Sequence, residues 1–84
     1  MKNIIYILFS KNYQKTYVGV TNNLANRLIQ HNKGCNAYTK KYKPWKIIYT
    51  EEFETENEVL NRERYLKSHA GRKFIKSIIE KTTF

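Results

Sequence analysis

The run Ile4-Ile5-Tyr6-Ile7-Leu8-Phe9 constrains this chain more than any other segment. Six consecutive apolar residues, mostly β-branched or aromatic and without polar alternation, predict a strand buried on both faces. With 84 residues in all, the length fits one domain spanning 1–84, and its core is small. The polar stretch Ser10–Lys15 reads as a turn. Thr16-Tyr17-Val18-Gly19-Val20 returns as a second strand, giving an antiparallel hairpin. Tyr17 and Gly19 share one face of it. A glycine inside a strand marks the close approach of another group.

The rest of the chain alternates between helix and strand signals. Thr21 or Asn22 caps a helix running to about Asn32, which Lys33-Gly34 ends. Leu24, Arg27, Leu28 and His31 follow the i, i+3, i+4, i+7 pattern, with the two polar positions at the edge of the buried stripe. Ala37 to Lys43 predicts a short helical turn closed by Pro44. Trp45 to Phe53 is a third strand. Thr55 and Glu58 form a capping box for a helix from about Glu56 to Ser68, with Val59, Leu60, Leu66 and Tyr65 facing inward. A last helix spans Arg72 to Glu80. The expected fold class is α+β, a three-stranded antiparallel sheet flanked by helices in the order β-β-α-(short α)-β-α-α.

Charge narrows the function. The net charge is +9, and it is segregated: Met1 to Thr50 holds nine basic residues and no acid, whereas Glu51 to Phe84 holds seven of each. Such a half-molecule attracts polyanions, which favours nucleic acid as partner. Lys33, Lys40, Lys41, Lys43 and Lys46 are candidate backbone contacts, interleaved with Tyr38, Tyr42 and Trp45 as stacking groups; the plain alternative is a solvated loop with Trp45 in the core. Several classes are excluded. One cysteine and two histidines cannot build a four-ligand structural zinc site. Gly19, Gly34 and Gly71 are too scattered for a phosphate loop or dinucleotide fingerprint, so no small-molecule cofactor is expected. The longest apolar run is far short of a membrane span and lacks a signal-peptide cleavage pattern. A single cysteine fits a reducing cytoplasm.

Candidate chemistry rests on a few side chains, each with a plain alternative. Glu63 lies mid-helix between Arg62 and Arg64, either as an i, i+4 partner of Lys67 or as a lone metal ligand aimed into a basic cleft. Arg27 is an exposed helix charge or a fork for a phosphate oxygen. Tyr6 and Tyr17 read as core or edge residues. His31 is a helix-end residue or a proton acceptor.

Taken together these residues resemble the GIY-YIG nucleases. Ile5-Tyr6-Ile7 is followed ten residues later by Tyr17-Val18-Gly19. Arg27 and His31 come next on the first helix, then Glu63 within Asn61-Arg62-Glu63-Arg64-Tyr65-Leu66-Lys67. His31-Asn32-Lys33-Gly34, Tyr38-Thr39 and Lys43-Pro44-Trp45-Lys46 look like the small stand-alone members, which are similar to the nuclease domain of the bacterial excision-repair incision enzyme. The resemblance implies a divalent-metal-dependent DNA endonuclease of repair or processing. Tyr6 and Tyr17 would position or deprotonate water. Arg27 would stabilise transition-state charge and His31 would assist proton transfer. Glu63 would ligate Mg²⁺ or Mn²⁺. The alternative is a non-catalytic nucleic-acid-binding module on the same fold.

Overall fold

The computed structural model describes residues 3–82. The elements are β1 (Asn3–Ser10), β2 (Lys15–Thr21), α1 (Leu24–Lys33), α2 (Ala37–Lys41), β3 (Lys46–Phe53), α3 (Glu56–Leu66) and α4 (His69–Lys81). Their order and the α+β class match the sequence reading. The sheet order is β2-β1-β3, antiparallel throughout. The apolar run is therefore the central strand, and every residue from Ile5 to Ser10 is buried.

Alternation along β1 divides the core in two. Ile5 and Ile7 point to one face, where Val18, Val59, Leu66 and Ile75 close over them. Tyr6 and Leu8 point to the other and pack with Trp45, with Tyr17, Leu24, Leu28, Tyr42 and Ile47 at the margins. Helices α3 and α4 thus cover the first face, and α1 with the α2 region covers the second. β2 forms one outer edge.

Local chemistry sets the boundaries, and several differ from the sequence reading. Thr21 stays in β2, so the cap of α1 is Asn23, whose side chain accepts from the Asn26 amide at 3.2 Å. Gly34 ends the helix at φ 85°, a left-handed turn in which its amide reaches the Gln30 and His31 carbonyls. β3 begins at Lys46 and not at Trp45, because the Asn32 side chain takes the Trp45 backbone: Trp45 N donates to Oδ1 at 2.7 Å and Nδ2 donates to the Trp45 carbonyl at 3.3 Å. α3 stops at Leu66. Ser68 instead caps α4, accepting from the Gly71 amide at 3.3 Å, so that helix starts three residues earlier than its apolar pattern suggests. Leu60 and Tyr65, expected inward, are 45% and 43% exposed, since Val59 and Leu66 already fill the contact with the sheet. The Thr55–Glu58 box is present: Thr55 Oγ1 accepts from the Glu58 amide at 3.2 Å and donates to Oε1 at 2.8 Å.

Candidate active site

The second face of the sheet carries the site. Tyr6 pairs with Gly19 across β1 and β2, and Leu8 pairs with Tyr17, so both tyrosines project to the same side. The Tyr6 ring lies directly over Gly19; a Cβ there would overlap the ring and its hydroxyl. That is why the second strand tolerates a glycine. The Tyr6 and Tyr17 rings sit 6.3 Å apart, tilted by 37°.

α1 delivers the polar partners. Arg27 and His31 are one turn apart on the face turned to the sheet. His31 is not at the edge of the stripe, as its pattern suggested; it is the buried residue of the helix, 2% exposed. Its ring stands 4.9 Å from that of Tyr17. Nε2 lies 2.9 Å from the Tyr6 hydroxyl and Nδ1 lies 2.9 Å from Thr39 Oγ1. The Thr39 hydroxyl donates onward to the Asn36 carbonyl at 3.4 Å. A hydroxyl that donates there accepts from Nδ1–H, which leaves Nε2 as the acceptor for Tyr6. Arg27 Nε donates to the same Tyr6 oxygen at 3.4 Å, and Arg27 Nη1 donates to Gln30 Oε1 at 3.3 Å. One directional path therefore runs from Arg27 through Tyr6, His31 and Thr39 to the α2 cap.

Electrostatics agree with this protonation pattern. Burial pushes His31 below its ordinary value, and the Arg27 charge pushes it further, so the imidazole is neutral at pH 7. Burial also raises the Tyr6 phenol, while the hydrogen bond from Arg27 pulls it back. The charges of Tyr17 and Glu63 raise it as well.

Glu63 arrives by a different route. α3 packs on the opposite face of the sheet, yet Tyr17 and Val18 of β2 line one cleft together with Leu66 and Lys67 from the end of α3. The two layers thus meet along the outer edge of β2. Glu63 makes the ion pair its spacing allows, with Lys67 Nζ at 3.2 Å from Oε2. Tyr6, Tyr17, Arg27 and His31 are joined by direct contacts, whereas the side-chain contact of Glu63 among the described residues is with Lys67. Among the described residues there is no group of three or more His, Cys, Asp or Glu side chains that could hold a metal. A lone, quarter-exposed carboxylate suits a hard cation that takes one protein ligand and completes its shell with water and phosphate oxygens.

Of the candidate nucleic-acid contacts, Lys33, Lys40, Lys41, Lys43 and Lys46 are all exposed. Tyr38 is 42% exposed and Tyr42 half-buried. Trp45 is not a stacking surface. It is 4% exposed, in the core, and its indole donates to the Thr39 carbonyl at 2.8 Å. That bond shows a role for Thr39 that the sequence did not assign. Thr39 is fully buried, fixed by Trp45 on its carbonyl and by the α2 cap at Asn36, and holds His31. Its only signal was membership of the Tyr38-Thr39 pair inside the familiar segment.

A tyrosine pair on a three-stranded sheet, with an arginine and a histidine from the following helix, defines a nuclease-type domain of the GIY-YIG class. The GIY-YIG catalytic domain model matches residues 2–76, and the chain belongs to that family. The chain is 46% identical over 66 residues to a UPF0213 protein of Clostridium perfringens, covering 77% of this chain and 70% of that one. It is 38% identical over 80 residues to a UPF0213 protein of Staphylococcus saprophyticus, covering 94% and 96%. The solution structure of a UPF0213 protein from Bacillus halodurans superposes with a TM-score of 0.56 at 27% identity, covering 93% of this chain and 85% of that one. Among the described residues, no helix is long and apolar enough to cross a membrane.

Proposed function

We propose that this chain is a single-domain DNA endonuclease that hydrolyses phosphodiester bonds with the help of one divalent cation. The observation that supports it most is the Tyr6 hydroxyl, which faces Arg27 on one side and a neutral His31 on the other. A water attacking phosphorus must lose a proton. An ordinary phenol, with a pKa of about 10, is a poor base until it has been ionised. A phenol that can hand its own proton on avoids that step. As the water proton reaches Tyr6 Oη, the Tyr6 proton moves to Nε2 of His31. The new P–O bond forms, the bond to the leaving oxygen breaks, and the displaced proton rests on the imidazole. Thr39 keeps the accepting nitrogen turned toward Tyr6.

Arg27 places its guanidinium where charge grows on the phosphate oxygens. Tyr17, packed against His31, positions the water. Glu63 would hold Mg²⁺ or Mn²⁺, and the bound ion supplies charge neutralisation at the phosphate and at the leaving oxygen. Lys33, Lys40, Lys41, Lys43 and Lys46 grip the DNA backbone without reading bases. The likeness to the excision-repair nuclease domain supports a task in DNA repair or processing. The lone cysteine, Cys35, is free and exposed, which supports a reducing cytoplasm.

The test is incubation with branched, nicked and plain DNA, with and without Mg²⁺ or Mn²⁺. Metal-dependent strand cleavage is expected, with Tyr6→Phe slower by about 10²–10⁴-fold. The competing reading, a binding module without turnover, is supported by the Lys67 ion pair on Glu63. DNA binding without cleavage on any substrate would decide for it.

A further inference from the structure

We propose that the cleft between β2 and the α3–α4 corner is a subsite for an unpaired nucleotide beside the scissile phosphate. This rests on the nuclease reading above and gives it a substrate class: DNA with a base that is not stacked in a duplex. The cleft has a volume of about 430 Å³, which is within the range of small-ligand sites. Leu66 and Ile75 give it an apolar floor, Tyr17 and Tyr38 an aromatic wall, and Lys67 and Arg72 a cationic rim.

Each part matches one part of a nucleotide. Tyr38 is 42% exposed yet not loose. Its ring is stacked on Tyr17 with centroids 6.1 Å apart, meets Tyr42 edge-on at 5.2 Å, and lies 6.2 Å from Trp45. Its hydroxyl donates to the Thr16 carbonyl at 3.4 Å. A large aromatic surface held rigid at solvent is a platform for a flat base, and stacking of that kind tolerates any base identity. Arg72 is exposed, and its guanidinium makes no hydrogen bond or ion pair among the described residues. Its charge is available for a phosphate.

Position ties the cleft to the chemistry. Tyr17 lines the cleft and also packs on His31 at 4.9 Å. Lys67 lines it and also bonds Glu63 at 3.2 Å. A nucleotide seated here lies against Tyr17 and Lys67, the two residues that connect the cleft to His31 and Glu63. Bases inside a duplex are stacked on both faces and cannot enter, so the occupant comes from a single strand or is extruded from a duplex.

The experiment measures binding in EDTA, so it does not depend on cleavage. Three probes carry 2-aminopurine: a single-stranded oligonucleotide, a duplex with the fluorophore bulged out, and a fully paired duplex. The two unpaired probes are expected to bind about tenfold tighter than the paired one, with their fluorescence quenched by stacking. Quenching of the single strand alone assigns the site to single-stranded DNA, and quenching of both assigns it to any unpaired base. Tyr38→Ala should lose that preference and Tyr38→Phe keep it. Arg72→Gln, on an exposed helix face, should lower the salt slope by about one. Equal affinity for all three probes overturns the subsite. So does an unquenched fluorophore together with an unchanged slope in Arg72→Gln, which stands even if Tyr38→Ala misfolds. Binding with quenching but no cleavage in metal keeps the subsite and rejects the nuclease. Cleavage of paired DNA without quenching does the reverse.

Discussion

The ring of Tyr6 fills the space that any side chain at Gly19 would need, across the central pair of strands. The glycine weakens β2 by roughly 0.5–1 kcal/mol relative to alanine. It is also what lets the Tyr6 hydroxyl reach across the strand to His31. Gly19→Ala should therefore displace the ring and cost about 1–3 kcal/mol through overpacking. A urea titration measures the stability. Cleavage should fall much further than the fraction folded, because the Tyr6–His31 contact of 2.9 Å is lost. An alanine variant with full activity would show that the ring does not need that position.

The burial of His31 has a pH consequence with a definite sign. Its folded-state value lies below the ordinary one, by burial first and by Arg27 second. In the unfolded chain the group titrates near 6.5. Between the two values the unfolded chain carries a proton that the folded chain does not, so stability rises with pH across that window. Acidification from neutrality should begin to destabilise the protein near pH 6.5, with a slope from this group of up to about 1.4 kcal/mol per pH unit. Activity should persist below pH 6.5 until the folded imidazole itself is protonated. Unfolding midpoints and cleavage rates from pH 5 to 8 check both, and His31→Gln should remove this contribution to the slope.

Thr39 is fully buried and fixes His31 through its contact with Nδ1 at 2.9 Å. Thr39→Val keeps the shape but leaves the buried Nδ1–H of His31 without its acceptor, at about 1–3 kcal/mol. With the tautomer no longer fixed, the acid limb of the rate profile should shift and the rate should drop. Thr39→Ser restores the hydroxyl and should restore the profile. A defect of stability alone, with the acid limb unmoved in Thr39→Val, would reduce Thr39 to a packing residue.

The sheet was readable because its determinants are local. An uninterrupted apolar strand, a turn and a returning strand specify Ile4–Phe9 and Thr16–Val20 without long-range information. The site's members were visible as residue types in the right order. Their convergence was implied only by the family resemblance and by no local pattern, because the 2.9 Å contacts of His31 bridge residues 25 and 8 positions away. Burial of His31 and Thr39 depends on how α1 and α2 settle on Leu8 and Trp45, which no periodicity encodes. Trp45 was ambiguous for the same reason: a tryptophan in a lysine-rich segment looks like a stacking group until Asn32 and Thr39 are seen holding it. The start of α4 was missed because Ser68 signals as a cap only once α3 is known to end before it.

Glu51 and Glu63 are held by different partners. Glu51 is tied to Arg62, with Nε at 3.0 Å from Oε1 and Nη2 at 2.9 Å from Oε2, and it accepts the Tyr49 hydroxyl. Burial raises its pKa, but the bonds from Arg62 and Tyr49 outweigh that and hold it below the usual range. Arg62 in turn lies over the Tyr65 and Phe74 rings at 5.0 and 5.2 Å, so this pair fastens β3 to α3 and α4. Glu51→Gln should cost about 1–2 kcal/mol at pH 7. Because the folded value is depressed, that contribution is present above the unfolded value and fades as pH falls through the folded one. Among the described residues the Glu63 side chain has only the exposed Lys67 pair, worth about 0.3–0.5 kcal/mol. Glu63→Gln should leave the unfolding midpoint within that margin and DNA binding in EDTA intact, while Mg²⁺-dependent cleavage is lost. Isothermal titration with Mn²⁺ in the presence of uncleaved DNA should show the same selectivity, with binding weakened in Glu63→Gln and unchanged in Glu51→Gln. Full cleavage by Glu63→Gln would remove the carboxylate from the metal site and leave it as the helix partner of Lys67.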